Sequence, residues 1–286
     1  MTFLITGASG KLGRLVIQSL IERGVDPQHI VAGARDAAKV ADLAESGVTV
    51  VTLDYTQPST VEAAFERVNT ALLISSSEVG RRAAQHNAVI HAAATAGVAK
   101  FVYTSAPKAT TSDLILAPEH KATEEAIAAA QLPAVILRNN WYTENYSNEV
   151  DRVRETGAFA ASVGDGRVAS ATRRDYADAA AAVLLGDGHI GQVYELGGDV
   201  AWDYNELAEA ISEVTGRPAS YRPLSTDEHA AALKSAGFDA GTIDFIVSLD
   251  ASIRNGALSE SDGSLSRLIG RPTTPLVDGL RALANL

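Results

Sequence analysis

Along the first half of the chain, short solid apolar runs alternate with longer stretches whose apolar residues recur every three or four positions. The short runs are Phe3–Thr6, Ile30–Ala34, Val48–Leu53, Ala71–Ser75, Lys100–Ser105 and Ala134–Arg138. They favour β-branched residues and lack an alternating polar face, the pattern of strands buried on both sides. Between them, Leu12–Arg23, Ala37–Ser46, Ser59–Val68, Arg81–Ala96 and Glu119–Gln131 have helical spacing. Pro58 and Pro118 stand where a helix begins; Gly24, Gly47 and Gly97 stand where one ends. Six strands separated by helices predict right-handed crossovers and an α/β fold with a doubly wound parallel sheet.

The rhythm breaks after Arg138. The segment Asn139–Tyr146 is aromatic and polar, more like a lining than a core element. A helix follows around Thr172–Leu185, a strand at Gln192–Leu196, and helices dominate from Trp202 onward, with a short extended piece at Ala219–Arg222. Residues 1–138 therefore form the sheet domain, and residues 139–286 a smaller C-terminal α/β lobe packed on it, able to return a strand to the sheet.

Charge and cysteine content narrow the chemistry. The 286 residues carry 24 bases and 35 acids, a net charge of −11, and show no concentrated basic face. Nucleic acid is therefore not an expected partner. With no cysteine, the chain has no disulfide, thiolate metal site or thiol nucleophile. No apolar run approaches the roughly 18 residues of a membrane helix, and the first residues run straight into a strand. A cytoplasmic protein away from membranes is expected, a monomer or a homodimer. The six histidines have no metal-ligand spacing, so no metal is expected.

The first strand leads into Gly7-Ala8-Ser9-Gly10-Lys11-Leu12-Gly13, and a helix starts at once. Three glycines there suit a tight turn, close approach of backbone to a pyrophosphate, and close helix–strand packing. The helix start adds N–H groups and a positive dipole end. At the head of a strand–helix–strand series, this makes residues 1–138 a Rossmann-type NAD(P)-binding domain. Dinucleotide sites selective for NAD usually carry an acid at the end of the second strand. Here the strand ends Gly33-Ala34-Arg35, and a guanidinium suits a 2′-phosphate. NADPH is the expected cofactor, the alternative for Arg35 being a solvated loop charge. Asp36 lies past the strand and is a candidate cap for the next helix, while Lys11 and Arg14 add positive potential. Later strand ends supply Asp54 and Tyr55 near the adenine, Ser75, Ser76 and Ser77 along the cofactor's middle, and Thr104 with Ser105 near the nicotinamide ribose.

Several segments together resemble the NmrA-like atypical short-chain dehydrogenase/reductases. They are Gly7–Gly13, Leu73–Gly80, Leu137–Tyr146, Ser170–Arg173, Gly164–Gly166, Tyr194–Leu196 and Leu268–Thr274. Within that family they are most similar to the bacterial NADPH:quinone oxidoreductases of the second type and the triphenylmethane reductases. The resemblance implies an NADPH-dependent reductase of quinones or similar conjugated acceptors, with the cofactor held by Gly7–Leu12, Arg35, the serine run and Asn145. It also implies a substrate cleft between the lobes. Trp141, Tyr142 and Tyr146 are read as an aromatic wall for a flat acceptor, their alternative being core residues with a polar handle. Dye reduction, and a non-catalytic NAD(P)-sensing role of the NmrA kind, are the competing functions.

One departure bears on mechanism. Most short-chain reductases carry Tyr-x-x-x-Lys on the helix after the fifth strand, the tyrosine acting as acid. Here His120 and Glu124 fill those places. A ketone reduced by hydride becomes a basic alkoxide that needs a positioned donor, whereas a quinone becomes a delocalised hydroquinone anion that water protonates. No catalytic acid is assigned. His120 is a candidate proton donor and pocket residue, its alternative being a structural histidine at a helix start.

Overall fold

The computed structural model describes residues 1–284. Its strands are β1 (Phe3–Ile5), β2 (Ile30–Ala34), β3 (Thr49–Thr52), β4 (Thr70–Leu73), β5 (Lys100–Ser105), β6 (Ala134–Asn139), β7 (Ala158–Ala161), β8 (Val193–Leu196) and β9 (Ser220–Pro223). Seven of them form one sheet in the order β3-β2-β1-β4-β5-β6-β8. The pairs from β3 through β6 are parallel, with Phe3 opposite Ile30 on one side and Thr70 on the other. Strand order reverses between β1 and β4, which opens a crevice at their C-terminal ends, where ligands of such sheets bind. The doubly wound parallel sheet expected from the sequence is therefore present, and β8 is the strand that the later part of the chain returns to it.

The first five helices are α1 (Lys11–Glu22), α2 (Ala41–Glu45), α3 (Pro58–Ala64), α4 (Arg82–Ala96) and α5 (Ala117–Ala129). Strands β1, β2, β4 and β5 are buried along their whole length. Leu4, Leu73, Phe101 and Tyr103 meet Val89 and Ile90 of α4 and Ile127 of α5 in one apolar cluster. The expected helix over 37–46 is broken: a 3₁₀ turn at Ala37–Val40 precedes α2. Asp36 causes this start, because its side chain accepts the Ala38 N–H at 3.0 Å and so takes the helix-cap role.

The chain divides into two compact units. The first comprises Met1–Thr110, Pro118–Asn139 and Arg173–Tyr194, and the second Thr111–Ala117, Asn140–Thr172 and Glu195–Leu286. A boundary drawn after residue 138 thus misses the return of 173–194 to the first unit. Two further helices, α6 (Ser147–Thr156) and α7 (Arg173–Leu185), follow β6 in the chain. The return is made by α7, which packs on α1 through buried alanines. Ser19 donates to Asp178 at 2.8 Å across that contact. The Lys100 ammonium, buried at the start of β5, donates to the carbonyls of Val183, Leu184 and Gly186 and so closes the C-terminal end of α7.

In the second unit, β7 and β9 form a two-stranded parallel sheet. Helices α8 (Tyr204–Thr215), α9 (Thr226–Ser235) and α10 (Ala240–Arg254) follow. Among the described residues, no helix is long and apolar enough to cross a membrane.

Candidate active site

The glycine loop joins β1 to α1 and is tightly constrained. Gly7 has φ +60°, a conformation that favours glycine. A side chain at Gly13 would begin 2.5 Å from the Gly7 carbonyl oxygen and 2.9 Å from Ala8 Cα, so helix and strand meet there backbone to backbone. Ala8 N–H donates to the Gly33 carbonyl at 3.0 Å, which ties the loop to β2. Leu12 is buried beneath the loop, whereas Ser9, Gly10 and Lys11 face solvent. The helix cap is Gly10, which brings no side-chain oxygen to the first-turn N–H groups. Exposed donors at a positive helix end fit a pyrophosphate, so the residues present suit a dinucleotide.

Arg35 follows β2 directly. Its side chain is 69% exposed, and Nη1 lies 2.7 Å from Glu78 Oε1, an acid that follows the serine run. At Gly33 the strand packs closely on its neighbour: a Cβ there would sit 2.7 Å from Leu53 Cδ1 and 3.2 Å from Leu53 Cβ. Arg14 does not add free positive potential, contrary to the expectation above. Its guanidinium is spent on Asp42, at 2.6 and 3.1 Å, and on the Lys39 carbonyl.

The Asp54 carboxylate is engaged by its own turn, accepting from Thr56 N–H, Thr56 Oγ1 and Gln57 Nε2. Those bonds, with the nearby Arg35 charge, lower its pKa. Tyr55 Oη donates to Thr6 Oγ1 at 2.7 Å, and burial pushes the phenol up to about 12. Both residues thus stand at strand ends with their polar atoms already partnered.

The serine run is held from below. Ser75 N–H donates to Thr104 Oγ1 at 2.9 Å and Ser76 N–H to His86 Nε2 at 3.0 Å, while Arg82 Nε donates to the Ser76 carbonyl. Glu119 on α5 fixes the start of α4, its Oε1 accepting from Gly80 N–H at 3.0 Å and Arg82 N–H at 3.2 Å. Sequence reasoning missed Arg82, His86 and Glu119. The spacing of Arg82 and His86, four apart in the first turns of α4, was the available signal.

His120 is buried on α5. Its Nδ1 lies 2.8 Å from Tyr103 Oη and its Nε2 3.4 Å from Arg82 Nη1. A guanidinium only donates, so Nε2 is the acceptor and Nδ1 carries the proton toward Tyr103. Burial, helped by the Arg82 charge, lowers the imidazole to about 3. Burial likewise lowers His86 to about 4. Both ring nitrogens of His120 are therefore used inside the protein. Glu124, at the lysine position of the short-chain pattern, accepts from Arg138 at 2.7 and 3.0 Å and from Ser105 Oγ at 2.6 Å.

The aromatic segment belongs to the second unit. Trp141, Asn145 and Tyr146 line a cavity of 410 Å³ together with Glu149 of α6, Tyr204 of α8 and Asp250 of α10, whereas Tyr142 is not among its lining residues. Tyr146 is buried, its ring 5.0 Å from Trp202 and 6.1 Å from Tyr204. Asp250 is fixed by Ser162 N–H, Ser162 Oγ and His229 Nδ1 at 2.7–2.8 Å. Burial raises the Glu149 carboxyl above the usual range. Among the described residues, no cluster of side chains suits a metal ion.

A family model described as NAD(P)H-binding matches residues 7–186. The chain belongs to the NAD(P)H-binding family. Within this family it is 45% identical over 282 residues to quinone oxidoreductase 2 of Escherichia coli, covering 99% of this chain and 98% of that protein. The crystal structure of the E. coli NADPH-dependent quinone oxidoreductase, complexed with NADPH, matches with a TM-score of 0.94 over 99% of each chain. Triphenylmethane reductase of Citrobacter sp. is 35% identical, with a TM-score of 0.94 and full coverage of both chains. The sheet order, the glycine loop and the family agree.

Proposed function

We propose that this chain is an NADPH-dependent reductase that passes hydride to a quinone or a similarly flat, conjugated acceptor. The observation that carries the reading is the 45% identity, end to end, with E. coli quinone oxidoreductase 2. When bound, the nicotinamide supplies the hydride. The chain's own residues bind, orient and exclude water, which is where most of the rate gain of such a reaction lies.

In this assignment the first-turn N–H groups of α1 hold the pyrophosphate and Arg35 holds the 2′-phosphate. Asp54 and Tyr55 lie beside the adenine. The loop of Ser75, Ser76 and Ser77, stiffened by Thr104, His86 and Arg82, lies along the cofactor's middle, and Asn145 is a further cofactor residue that the family resemblance implies. The cavity lined by Trp141 and Tyr146 receives the acceptor. Its volume falls within the range of small-ligand pockets, and its aromatic lining suits a flat ring. No side chain serves as an obligatory acid, which fits the internal use of both His120 nitrogens. The partner is a small aromatic molecule; a net charge of −11 does not suit a nucleic acid. We assign the enzyme to the cytoplasm, as a monomer or a homodimer.

The 35% identity with triphenylmethane reductase supports dyes of that class as a second acceptor. The test mixes purified protein with NADPH and, separately, a small benzoquinone and a triphenylmethane dye. NADPH absorbance falling faster than without protein is the expected result. Tight NADPH binding with neither acceptor reduced would return the chain to a redox-sensing role.

A further inference from the structure

The end of β2 reads Gly33-Ala34-Arg35 and carries no acid of the kind that selects NAD. The fold brings an acid to the same place from another strand end. Glu78 lies 43 residues further along the chain, and its Oε1 meets Arg35 Nη1 at 2.7 Å. The two partners are not equally free. Glu78 is 31% exposed and Arg35 69%. Glu78 N–H donates to Ser76 Oγ at 3.1 Å, and its Oε2 accepts from Gln85 Nε2 at 3.0 Å, with Arg81 Nη1 at 3.9 Å. Ser76 is itself pinned on both backbone groups by His86 and Arg82. The carboxylate is thus anchored to α4, while the guanidinium reaches to it from an exposed loop.

We propose that Glu78 is a specificity-determining residue for the cofactor's adenosine end. It competes with a 2′-phosphate for Arg35, and it offers its own carboxylate to an unphosphorylated ribose 2′-hydroxyl. The inference rests on the assignment of Arg35 to the 2′-phosphate. A carboxylate accepts a bond from the ribose hydroxyl of NADH, which is how acids at this place favour that cofactor. The same carboxylate repels a phosphate dianion, and Arg35 must leave it or bridge the two. The ion pair is solvent-exposed, and exposed pairs are weak, so the exchange is easy. The enzyme therefore accepts both nicotinamide cofactors, with its NADPH preference held below what Arg35 alone would give.

Calorimetric titration of the full chain with adenosine 2′,5′-bisphosphate and with 5′-AMP tests this without turnover. In Glu78→Gln the bisphosphate should bind about threefold to fivefold tighter and 5′-AMP no tighter, an effect that shrinks in high salt. In Arg35→Ala the bisphosphate should bind roughly 10- to 150-fold more weakly. If Arg35→Ala behaves so but Glu78→Gln leaves the ratio of the two constants unchanged or lowers it, Glu78 has no such role and Arg35 keeps its own. If Arg35→Ala leaves bisphosphate affinity intact, the assignment of Arg35 fails, and this inference with it. Thermal melting of each variant checks that the fold is retained.

Discussion

The Nδ1 of His120 lies 2.8 Å from the Tyr103 hydroxyl, two buried groups facing each other across α5 and β5. The bond turns the residue that fills the catalytic tyrosine's place into part of the scaffold. With Nε2 turned to Arg82, the imidazole is neutral at physiological pH and is lowered to about 3. His120→Gln should lower kcat with a benzoquinone by less than about tenfold, against the 10²–10⁴ expected when a general acid is lost. A fall of ~100-fold or more would make His120 the acid. The kcat profile of the parent enzyme should show no inflection that disappears in this variant.

The same histidines make stability depend on pH. His120 and His86 are lowered to about 3 and about 4 from an ordinary value of 6.5. Between those values the unfolded chain binds protons that the fold refuses, so stability rises with pH and is lost on acidification below about 6.5. Each group contributes about 1.4 kcal/mol per pH unit within its window. Denaturant midpoints at pH 7, 6 and 5 should therefore fall more steeply for the parent than for His120→Gln or His86→Gln. Parallel slopes would mean that these rings are charged or exposed.

The glycines of the phosphate loop should separate into two kinds. A Cβ at Gly13 meets only backbone, at 2.5–3.0 Å, whereas one at Gly10 meets the Gly7 carbonyl oxygen at 3.2 Å and otherwise open space. Gly13→Val should destabilise the fold by more than about 2 kcal/mol. Gly10→Val should keep the parent's circular dichroism and melt near it, yet lose NADPH binding measured by fluorescence titration. Parent-like affinity in Gly10→Val would mean that the cofactor does not lie against this turn.

What the sequence made legible was local. β1, β2, β4 and β5 were readable because strands buried on both faces are solid apolar runs. The edge strand β3 was readable because all four of its residues are β-branched, although none is buried, and the glycine loop because its chemistry is contiguous. Ala158–Ala161 hid as β7 because three of its four residues are alanines with no β-branched signature. Asp36 was readable as a cap, but the break at Val40 before α2 was not. The links that shape the candidate site join distant residues: Arg35 to Glu78, Ser76 to His86, and Tyr103 to His120. No spacing announces such pairs. The cavity was half visible, since Trp141 and Tyr146 are conspicuous while Glu149, His229 and Asp250 come from three separate helices.

Lys100 offers a stability test away from the site. It opens β5, whose other end carries Thr104, and its ammonium holds three carbonyls at the end of α7. Lys100→Met keeps the stem but leaves those carbonyls without their donor, at a cost of about 1–3 kcal/mol. That corresponds to a melting point lower by roughly 2–10 °C for a chain of this size. NADPH affinity should not change. A variant as stable as the parent would show that water replaces the ammonium freely.

The aromatic segment yields the sharpest test of the acceptor site. Trp141 lines the 410 Å³ cavity and Tyr142, its neighbour in sequence, does not. If a flat acceptor binds there, its alignment for hydride transfer depends on the indole, and misplacement by about 1 Å costs on the order of 10²-fold. Trp141→Ala should therefore lower kcat/KM for a benzoquinone about tenfold to 100-fold, with NADPH affinity nearly unchanged. Tyr142→Ala should cost less than Trp141→Ala. Steady-state rates at saturating NADPH decide the order, and deuterated cofactor shows whether hydride transfer is the step that slows. Equal losses from the two variants, or a Trp141→Ala enzyme as fast as the parent, would place the acceptor outside this cavity.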